Sequence, residues 1–212
     1  KSSSRVIPIN ALLSRFFYLK GNLFENFSFF TTPINIGESS GLIAIFGTPT
    51  YSWDTSVVSF AVAIDNIFSS METSVTNGIL GFLNIHDVLV YNNSFSNCRA
   101  SRGGGLSVLY SLKAIVKDIK FINCSSSSDG GAIIFQEIRD LKFFNLTFFN
   151  CSSAKEGGGI KAEAITQAEG GDIVAVNLFS KTRGGFLLVR QSGAFILKGL
   201  KIFSRGTLSN FS

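Results

Sequence analysis

The sequence lacks the features that several classes of functional site require. Its 212 residues include a single histidine, His86, and its three cysteines show no C-x-x-C spacing, so no metal site is predicted. No apolar run reaches the ~18 residues of a membrane-spanning helix, and almost no stretch repeats its apolar residues with a helical period. We therefore predict no membrane insertion in this segment and no helical fold.

Concentrated charge is also missing. The chain has 19 Lys and Arg against 14 Asp and Glu, a net charge of +5, and the basic residues are scattered along it. A nucleic-acid partner is not predicted, because such proteins cluster their basic residues on one surface. The acidic residues are isolated as well, so no pair of carboxylates is in place to act as general acid and base. We predict neither catalytic residues nor a cofactor.

What the sequence does contain is a repeat. Glycine pairs begin every 27 residues, at Gly103, Gly130, Gly157 and Gly184. A second motif keeps nearly the same interval, as FSNC, FINC and FFNC, and ends at Cys98, Cys124 and Cys151. A period in this range is typical of a solenoid, in which each unit buries its apolar face against its neighbours. Because the units are rich in β-branched and aromatic residues, we predict an all-β parallel β-helix.

The regularity divides the chain into two parts of one continuous domain. Residues 77–212 hold the clear coils, of roughly 27 residues each, and residues 1–76 hold less regular coils; about seven coils are expected in all. Extra residues near 47–55, including Tyr51 and Trp53, predict a loop insertion. It is either a longer connection or a binding surface, since solenoids often place binding residues on such insertions.

The asparagines of the second motif form a column with the same period. Side chains two residues apart on a strand point the same way, so an inward Phe121 or Phe148 predicts an inward Asn two residues later. We expect a structural ladder of stacked amides. Its members are Asn97, Asn123, Asn150 and Asn177.

N-glycosylation patterns occur at six asparagines. Asn123 and Asn150 belong to the ladder, so they are judged inward and without sugar. Asn26, Asn92 and Asn145 lie three residues before an inward Phe and are therefore predicted to face solvent and carry N-linked glycans. Asn210 matches the pattern too, but it lies too near the end of the sequence to orient.

The cysteine column leaves two interpretations open. Cys98, Cys124 and Cys151 stack on neighbouring coils, about 4.8 Å apart, either as small semi-buried residues at a turn or with one disulfide such as Cys98 with Cys124. Asp129 lies above Glu156 on the same lattice. The two carboxylates belong either to a ladder of ion pairs or to a calcium site.

The segment GGAI at Gly130–Ile133, with its variants and the preceding FxN, resembles a known group over residues 77–205. These are right-handed parallel β-helix surface proteins of the pectin-lyase-like class, including the polymorphic outer-membrane proteins of chlamydiae and cysteine-containing surface proteins of ciliates and other protists. The Cys after FxN departs from the bacterial pattern, and the N-glycosylation patterns look more eukaryotic. The resemblance implies a right-handed coil and a role in adhesion or surface structure.

We therefore expect a non-catalytic, secreted structural or adhesive protein that presents a rigid glycosylated rod outside the cell. Its expected partners are other copies of itself or flanking β-helix segments, which would stack on open coil ends to form filaments, and cell-surface glycans bound near Tyr51, Trp53 and Tyr110. The alternative is a carbohydrate-binding or polysaccharide-degrading domain, because pectate lyases share the fold class. Fold alone does not decide between them.

Overall fold

A computed structural model of the chain describes residues 9–12, 16–26, 28–29, 43–46, 60–74 and 77–203. This part of the chain contains β-strands and no helix. The strands are β1 (Ile9–Leu12), β2 (Phe16–Lys20), β3 (Leu23–Glu25), β4 (Ser28–Phe29), β5 (Ile43–Phe46), β6 (Phe60–Ile64), β7 (Ile67–Ser69), β8 (Glu72–Thr73), β9 (Leu80–Leu83), β10 (Asp87–Tyr91), β11 (Ser94–Ser96), β12 (Arg99–Ala100), β13 (Leu106–Ile122), β14 (Ser125–Ser126), β15 (Ile133–Phe149), β16 (Ser152–Ser153), β17 (Ile160–Glu163), β18 (Gln167–Val176), β19 (Phe179–Ser180), β20 (Leu187–Arg190) and β21 (Ala194–Phe203).

All pairs between these strands are parallel, and they stack into four faces. The first face contains β1, β5, β9, the start of β13 and of β15, β17 and β20. The second contains β2, β6, β10, the middle of β13 and of β15, and the first halves of β18 and β21. The third contains β3, β7, β11 and the ends of β13, β15, β18 and β21. The fourth contains β4, β8, β12, β14, β16 and β19.

The protein is thus an all-β parallel β-solenoid, which confirms the class predicted from the repeat. Residues on adjacent regular coils meet at an offset of 26 or 27, as with Asn97 and Asn123 and then Asn123 and Asn150. About five turns keep this period. The right-handed winding stays a prediction.

The coil bends at four corners, and each corner is made by a residue with positive φ. In one regular coil these residues are Gly103 (60°), Tyr110 (56°), Asp118 (56°) and Asn123 (52°). The left-handed region is costly for most L-residues and mildest for Gly, Asn and Asp. A single left-handed residue turns the chain by a sharp angle, so the inward and outward alternation of a strand does not continue across it.

The two glycines of each pair are required for different physical reasons. Gly130 has a φ of 63° at the corner. Gly131, the next residue, packs directly against the neighbouring coil. A Cβ at this position would lie 2.0 Å from the carbonyl oxygen of Gly158, so only glycine fits. The first glycine allows the turn and the second allows the coils to approach.

The core between the faces is built from stacked columns of like residues. Phe24, Phe68, Phe95, Phe121 and Phe148 form a column whose ring centroids are 4.6–5.2 Å apart, with planes within 7° of parallel. Where one coil carries a larger side chain, the next makes room. The ring of buried Phe143 occupies the space that a Cβ on Gly170 would need, 2.4 Å away.

The N-terminal coils are longer than the regular ones. Asn22 stacks directly on Asn66, although 44 residues separate them in the sequence. On the first face, Ile43 pairs with Leu80. The predicted loop insertion near 47–55 lies outside the described residues, as do Tyr51 and Trp53.

Candidate functional site: the amide-lined third face

The third face is bordered by two corners whose side chains are mostly amides. The corner before it, which we name the Asp/Asn corner, contains five residues with φ of 51–58°: Asp65, Asn92, Asp118, Asn145 and Asp172. The corner after it, which we name the Asn corner, contains Asn26, Ser70, Asn97, Asn123, Asn150 and Asn177, with φ of 51–58°. Short polar side chains that tolerate the left-handed region therefore line both edges of this face.

The Asn corner carries the predicted amide ladder. The Nδ2 of Asn123 donates to Oδ1 of Asn97 at 3.1 Å, that of Asn150 to Asn123 at 3.3 Å, and that of Asn177 to Asn150 at 3.2 Å. These side chains nevertheless lie outside the coil, and Asn97, Asn123 and Asn150 are exposed. The ladder was expected to be inward, and that expectation is wrong. The strand alternation that supported it ends at the left-handed residue.

The same finding corrects the division of the glycosylation patterns. Asn123 and Asn150 were judged inward, and both are exposed. Asn26, which was placed in a different class, stands at the same corner and is exposed in the same way. Asn210 lies outside the described residues.

The Asp/Asn corner alternates carboxylates and amides. Asn92 donates through Nδ2 to Oδ1 of Asp65 at 2.9 Å, and Asn145 donates to Asp118 at 2.6 Å. Asn92 and Asn145 are exposed, as expected for asparagines that face solvent. Each amide has two N–H hydrogens, and the bond to the aspartate uses one of them.

A second amide ladder lies inside the solenoid, and the sequence reasoning missed it. Asn66 donates through Nδ2 to Oδ1 of Asn93 at 2.9 Å and to the backbone carbonyl of Leu19 at 3.1 Å. Asn22 donates through Nδ2 to Asn66 at 3.0 Å, and Asn66 and Asn93 are almost completely buried. The 27-residue interval between Asn66 and Asn93 was a usable signal. Above Asn93 the same column continues with Ile119 and Leu146.

The two ladders differ in how their N–H groups are used. In the inner ladder both hydrogens of Asn66 and of Asn93 are donated to protein acceptors. In the outer ladder Asn123 and Asn150 each donate one bond along the column. Each amide has a second N–H, and both side chains are exposed to solvent.

An apolar patch accompanies the outer ladder on the later coils. It consists of outward side chains beside the Asn corner, and we name it the corner patch: Ile122, Phe149, Val176, Phe179 and Phe203. Phe149 is 41% exposed and Phe179 is 63% exposed. On earlier coils the row that contains Ile122 and Phe149 is occupied by Ser69 and Ser96. This row therefore changes from serine to apolar residues along the rod.

The cysteine column is reduced and internal. Cys98, Cys124 and Cys151 are free and completely buried, so the disulfide alternative is not realised. The thiols donate to backbone carbonyls, as the Sγ of Cys124 does to the carbonyl of Phe95 at 3.5 Å. Burial, with the neighbouring thiols, raises the pKa of Cys124 well above its ordinary value. A protonated, buried thiol is a packing group rather than a nucleophile.

The carboxylates proposed for calcium are held by a lysine. The Nζ of Lys161, whose side chain is 6% exposed, lies 3.1 Å from Asp129, 3.5 Å from Glu156 and 3.3 Å from Glu163. Arg190 contacts Glu156 as well. The ion-pair interpretation is therefore the one realised, with a buried ammonium where a metal cation would have to lie. No group of three or more His, Cys, Asp or Glu is placed to hold a metal within the described ranges.

The fold and these surfaces were compared with known proteins. No family model, curated protein or solved structure matches the chain significantly. The resemblance to pectin-lyase-like surface proteins therefore holds for the parallel β-solenoid class, and kinship with a particular group stays a proposal. Between residues 9 and 203, where described, the structure contains no helix of a length and apolarity that would cross a membrane.

Proposed function

We propose that the protein is a non-catalytic extracellular rod, structural or adhesive, that carries N-linked glycans along one face. One observation carries this proposal. All five asparagines with the N-glycosylation pattern in the described residues stand at the two corners that border the third face: Asn26, Asn92, Asn123, Asn145 and Asn150. All five are exposed. Sugars at these positions would coat one side of the rod and leave the first face clear.

The internal structure supports a rigid presentation. The coils are joined by parallel hydrogen-bonded ladders on all four faces, and the phenylalanine column runs through the core. Interiors of this kind are close-packed and deform little. Glycans on successive coils would keep fixed spacings, with Asn92 and Asn145 two coils apart, about 10 Å.

The exposed apolar residues of the last described coil favour the proposal that partners stack on the end of the rod. Leu200 and Ile202 occupy inward positions but are 39% and 57% exposed, whereas Ile173 and Ala175 below them are 0% exposed. Within the described residues, β20 and β21 pair with neighbours on one side. Such an edge is a template for further parallel strands, from another copy or a flanking segment.

The experiment that tests the proposal is glycopeptide mapping of the chain secreted from a eukaryotic cell, followed by electron microscopy of the same material. Sugar on asparagines of both corners, on straight particles of uniform width, is the expected result. A secreted, folded chain without sugar at any of the five positions would refute the proposed glycan-bearing role. Filaments would assign the end of the coil to self-association, and single short rods would assign it to other segments.

A further inference from the structure

The corner patch needs an occupant, because four of its five apolar side chains are exposed beside the amides of the Asn corner. Contiguous exposed apolar groups of this kind mark an interaction site. The patch is confined to the later coils, and on the same row Ser69 and Ser96 stand where Ile122 and Phe149 stand above. The group that covers the corner patch is therefore expected on the later coils and not on the earlier ones.

The patch coincides with two glycosylation patterns. Asn123 follows Ile122 directly and Asn150 follows Phe149, and each is continued by Cys-Ser. Asn97, at the same corner, follows Ser96 and has no such pattern, since Arg99 stands where serine or threonine is required. At both positions, a glycan attachment point directly follows an exposed apolar residue in the sequence.

We propose that the corner patch is covered by the protein's own N-linked glycan attached at Asn150, with Asn123 as a second attachment point. The inference rests on the proposed function, since it requires passage through a glycosylating secretory pathway. It reverses the expectation that ladder membership excludes sugar. The C–H groups on one face of a pyranose ring form an apolar surface, which packs on the ring of Phe149 by dispersion contact.

The amide chemistry is compatible with the ladder. In the transfer, Nδ2 of Asn150 forms a bond to the anomeric carbon of the sugar, the bond from that carbon to a lipid-linked diphosphate breaks, and the diphosphate leaves as Nδ2 loses one proton. One N–H remains on Nδ2. That hydrogen is enough for the single bond to Oδ1 of Asn123. The inner Asn66 has no hydrogen to lose without breaking a bond.

A glycan fits this surface better than a protein partner does. Asn123 and Asn150 lie beside the patch, and each donates one bond along the column, which uses one of its two amide hydrogens. A protein surface pressed on the patch would bury these donors, and each donor left without an acceptor would weaken the contact. An attached sugar replaces one of the hydrogens, and its hydroxyl groups accept bonds from the other amides.

The test uses variants that remove an attachment pattern and leave the ladder amide in place. Ser152→Ala abolishes the pattern at Asn150, Ser152→Thr retains it, and Thr147→Val abolishes the pattern at Asn145 as the matched control at the other corner. Each is made with and without Phe149→Ser, in the full chain secreted from a eukaryotic cell. Glycopeptide occupancy, binding of an apolar fluorescent dye and the thermal midpoint are measured.

We expect sugar on Asn150 in the parent and in Ser152→Thr. Ser152→Ala should increase dye binding and lower the midpoint by about 2–4 °C, the shift for a loss of order 1 kcal/mol in a chain of this size. The effect should vanish when Phe149→Ser is present, and Thr147→Val should not show it. Equal effects with and without Phe149→Ser would refute packing of the glycan on the patch.

The occupancy data separate this inference from the proposed function. An unmodified Asn150 in a chain that carries sugar on Asn92 or Asn145 would overturn the inference alone. A chain without sugar at all five positions would overturn both. Deglycosylation of the folded parent with an endoglycosidase provides a second measurement, and it should reproduce the increase in dye binding without any substitution.

Discussion

The inner and outer asparagine ladders stack the same residue on successive coils, but their amides have different surroundings. In the inner ladder, Asn66 and Asn93 are buried in the core and donate both amide hydrogens to protein acceptors, and half-buried Asn22 begins the column. The outer ladder, which includes Asn123 and Asn150, is exposed, and each of these amides donates one bond along the column. The difference arises from the backbone. Outer asparagines are the left-handed corner residues, whereas Asn66 and Asn93 each follow one.

Both ladders require adjacent coils to lie one strand spacing apart. The largest loss of folding stability is therefore expected from a substitution that pushes two coils apart. In Gly131→Ala the new Cβ would lie 2.0 Å from the carbonyl oxygen of Gly158, and we expect a loss of more than about 4 kcal/mol, or no folded protein. Gly185→Ala, in the same column on the last coil, meets only a carbonyl oxygen at 3.8 Å.

Gly185→Ala is therefore the control, and it should change the free energy of unfolding by no more than about 0.5 kcal/mol. Chemical denaturation followed by circular dichroism measures both variants. Equal losses would show that the close approach between coils does not limit stability.

The second prediction breaks one rung of each ladder. Asn66→Ala removes two donated bonds and the acceptor for Asn22, and leaves buried groups unsatisfied, so we expect a loss of about 3 kcal/mol. Asn123→Ala removes bonds that water replaces and puts alanine at a left-handed corner, with an expected loss of about 1 kcal/mol. Denaturation midpoints of the two variants should fall in that order. The reverse order would contradict the assignment of inner and outer.

The third prediction replaces the inner ladder as a whole. Above Asn93 the column continues with Ile119, Leu146 and Ile173. These apolar residues lie in the continuous strands β13, β15 and β18, which pair with their neighbours through backbone hydrogen bonds. Changing Asn22, Asn66 and Asn93 together to leucine should cost more than Asn66→Ala alone. The amides also bond backbone groups, among them the N–H of Asn66 and the carbonyls of Leu19 and Ala63, and leucine leaves these without that partner. The triple and single variants are compared in one denaturant series. A triple variant as stable as Asn66→Ala would contradict this expectation and show that the backbone groups find other partners.

The smallest effect is expected at a corner without a ladder. Ala164 has a φ of 56°, which costs alanine about 1 kcal/mol or more, and glycine adopts this conformation freely. Ala164→Gly should therefore stabilise the protein by about 0.5–1 kcal/mol, measured as a higher denaturation midpoint. Ala162→Gly, two residues earlier in β17 and buried, is the control and should destabilise it.

The sequence was sufficient for the fold and insufficient for the orientation of the site. The glycine pairs and the FxNC motif gave the period, and the period gave the parallel coil. The outward direction of the Asn123 side chain could not be predicted in the same way. Strand alternation predicts an inward side chain there, but the chain turns at Asn123 and the alternation ends. The corner is visible in the sequence as a recurrent asparagine, but its φ is a property of the folded coil.

The inner ladder was missed for a related reason. Asn66 and Asn93 share the period, but Asn22 is 44 residues before Asn66, and the irregular early coils hide the column. The corner patch was missed although the sequence contained a signal for part of it. Ile122 and Phe149 each follow an inward Phe in the same strand, so strand alternation already directs them outward.

The constant interval between coils also has a mechanical consequence. The strands of each regular turn pair with those of the turn before it and the turn after it, so a pulling force applied to the last coil would first separate that turn. One detached turn releases a length of about 90 Å when fully extended. A rod anchored at one end would then lengthen under load in equal steps, and each turn could rewind onto the strand edge that remains.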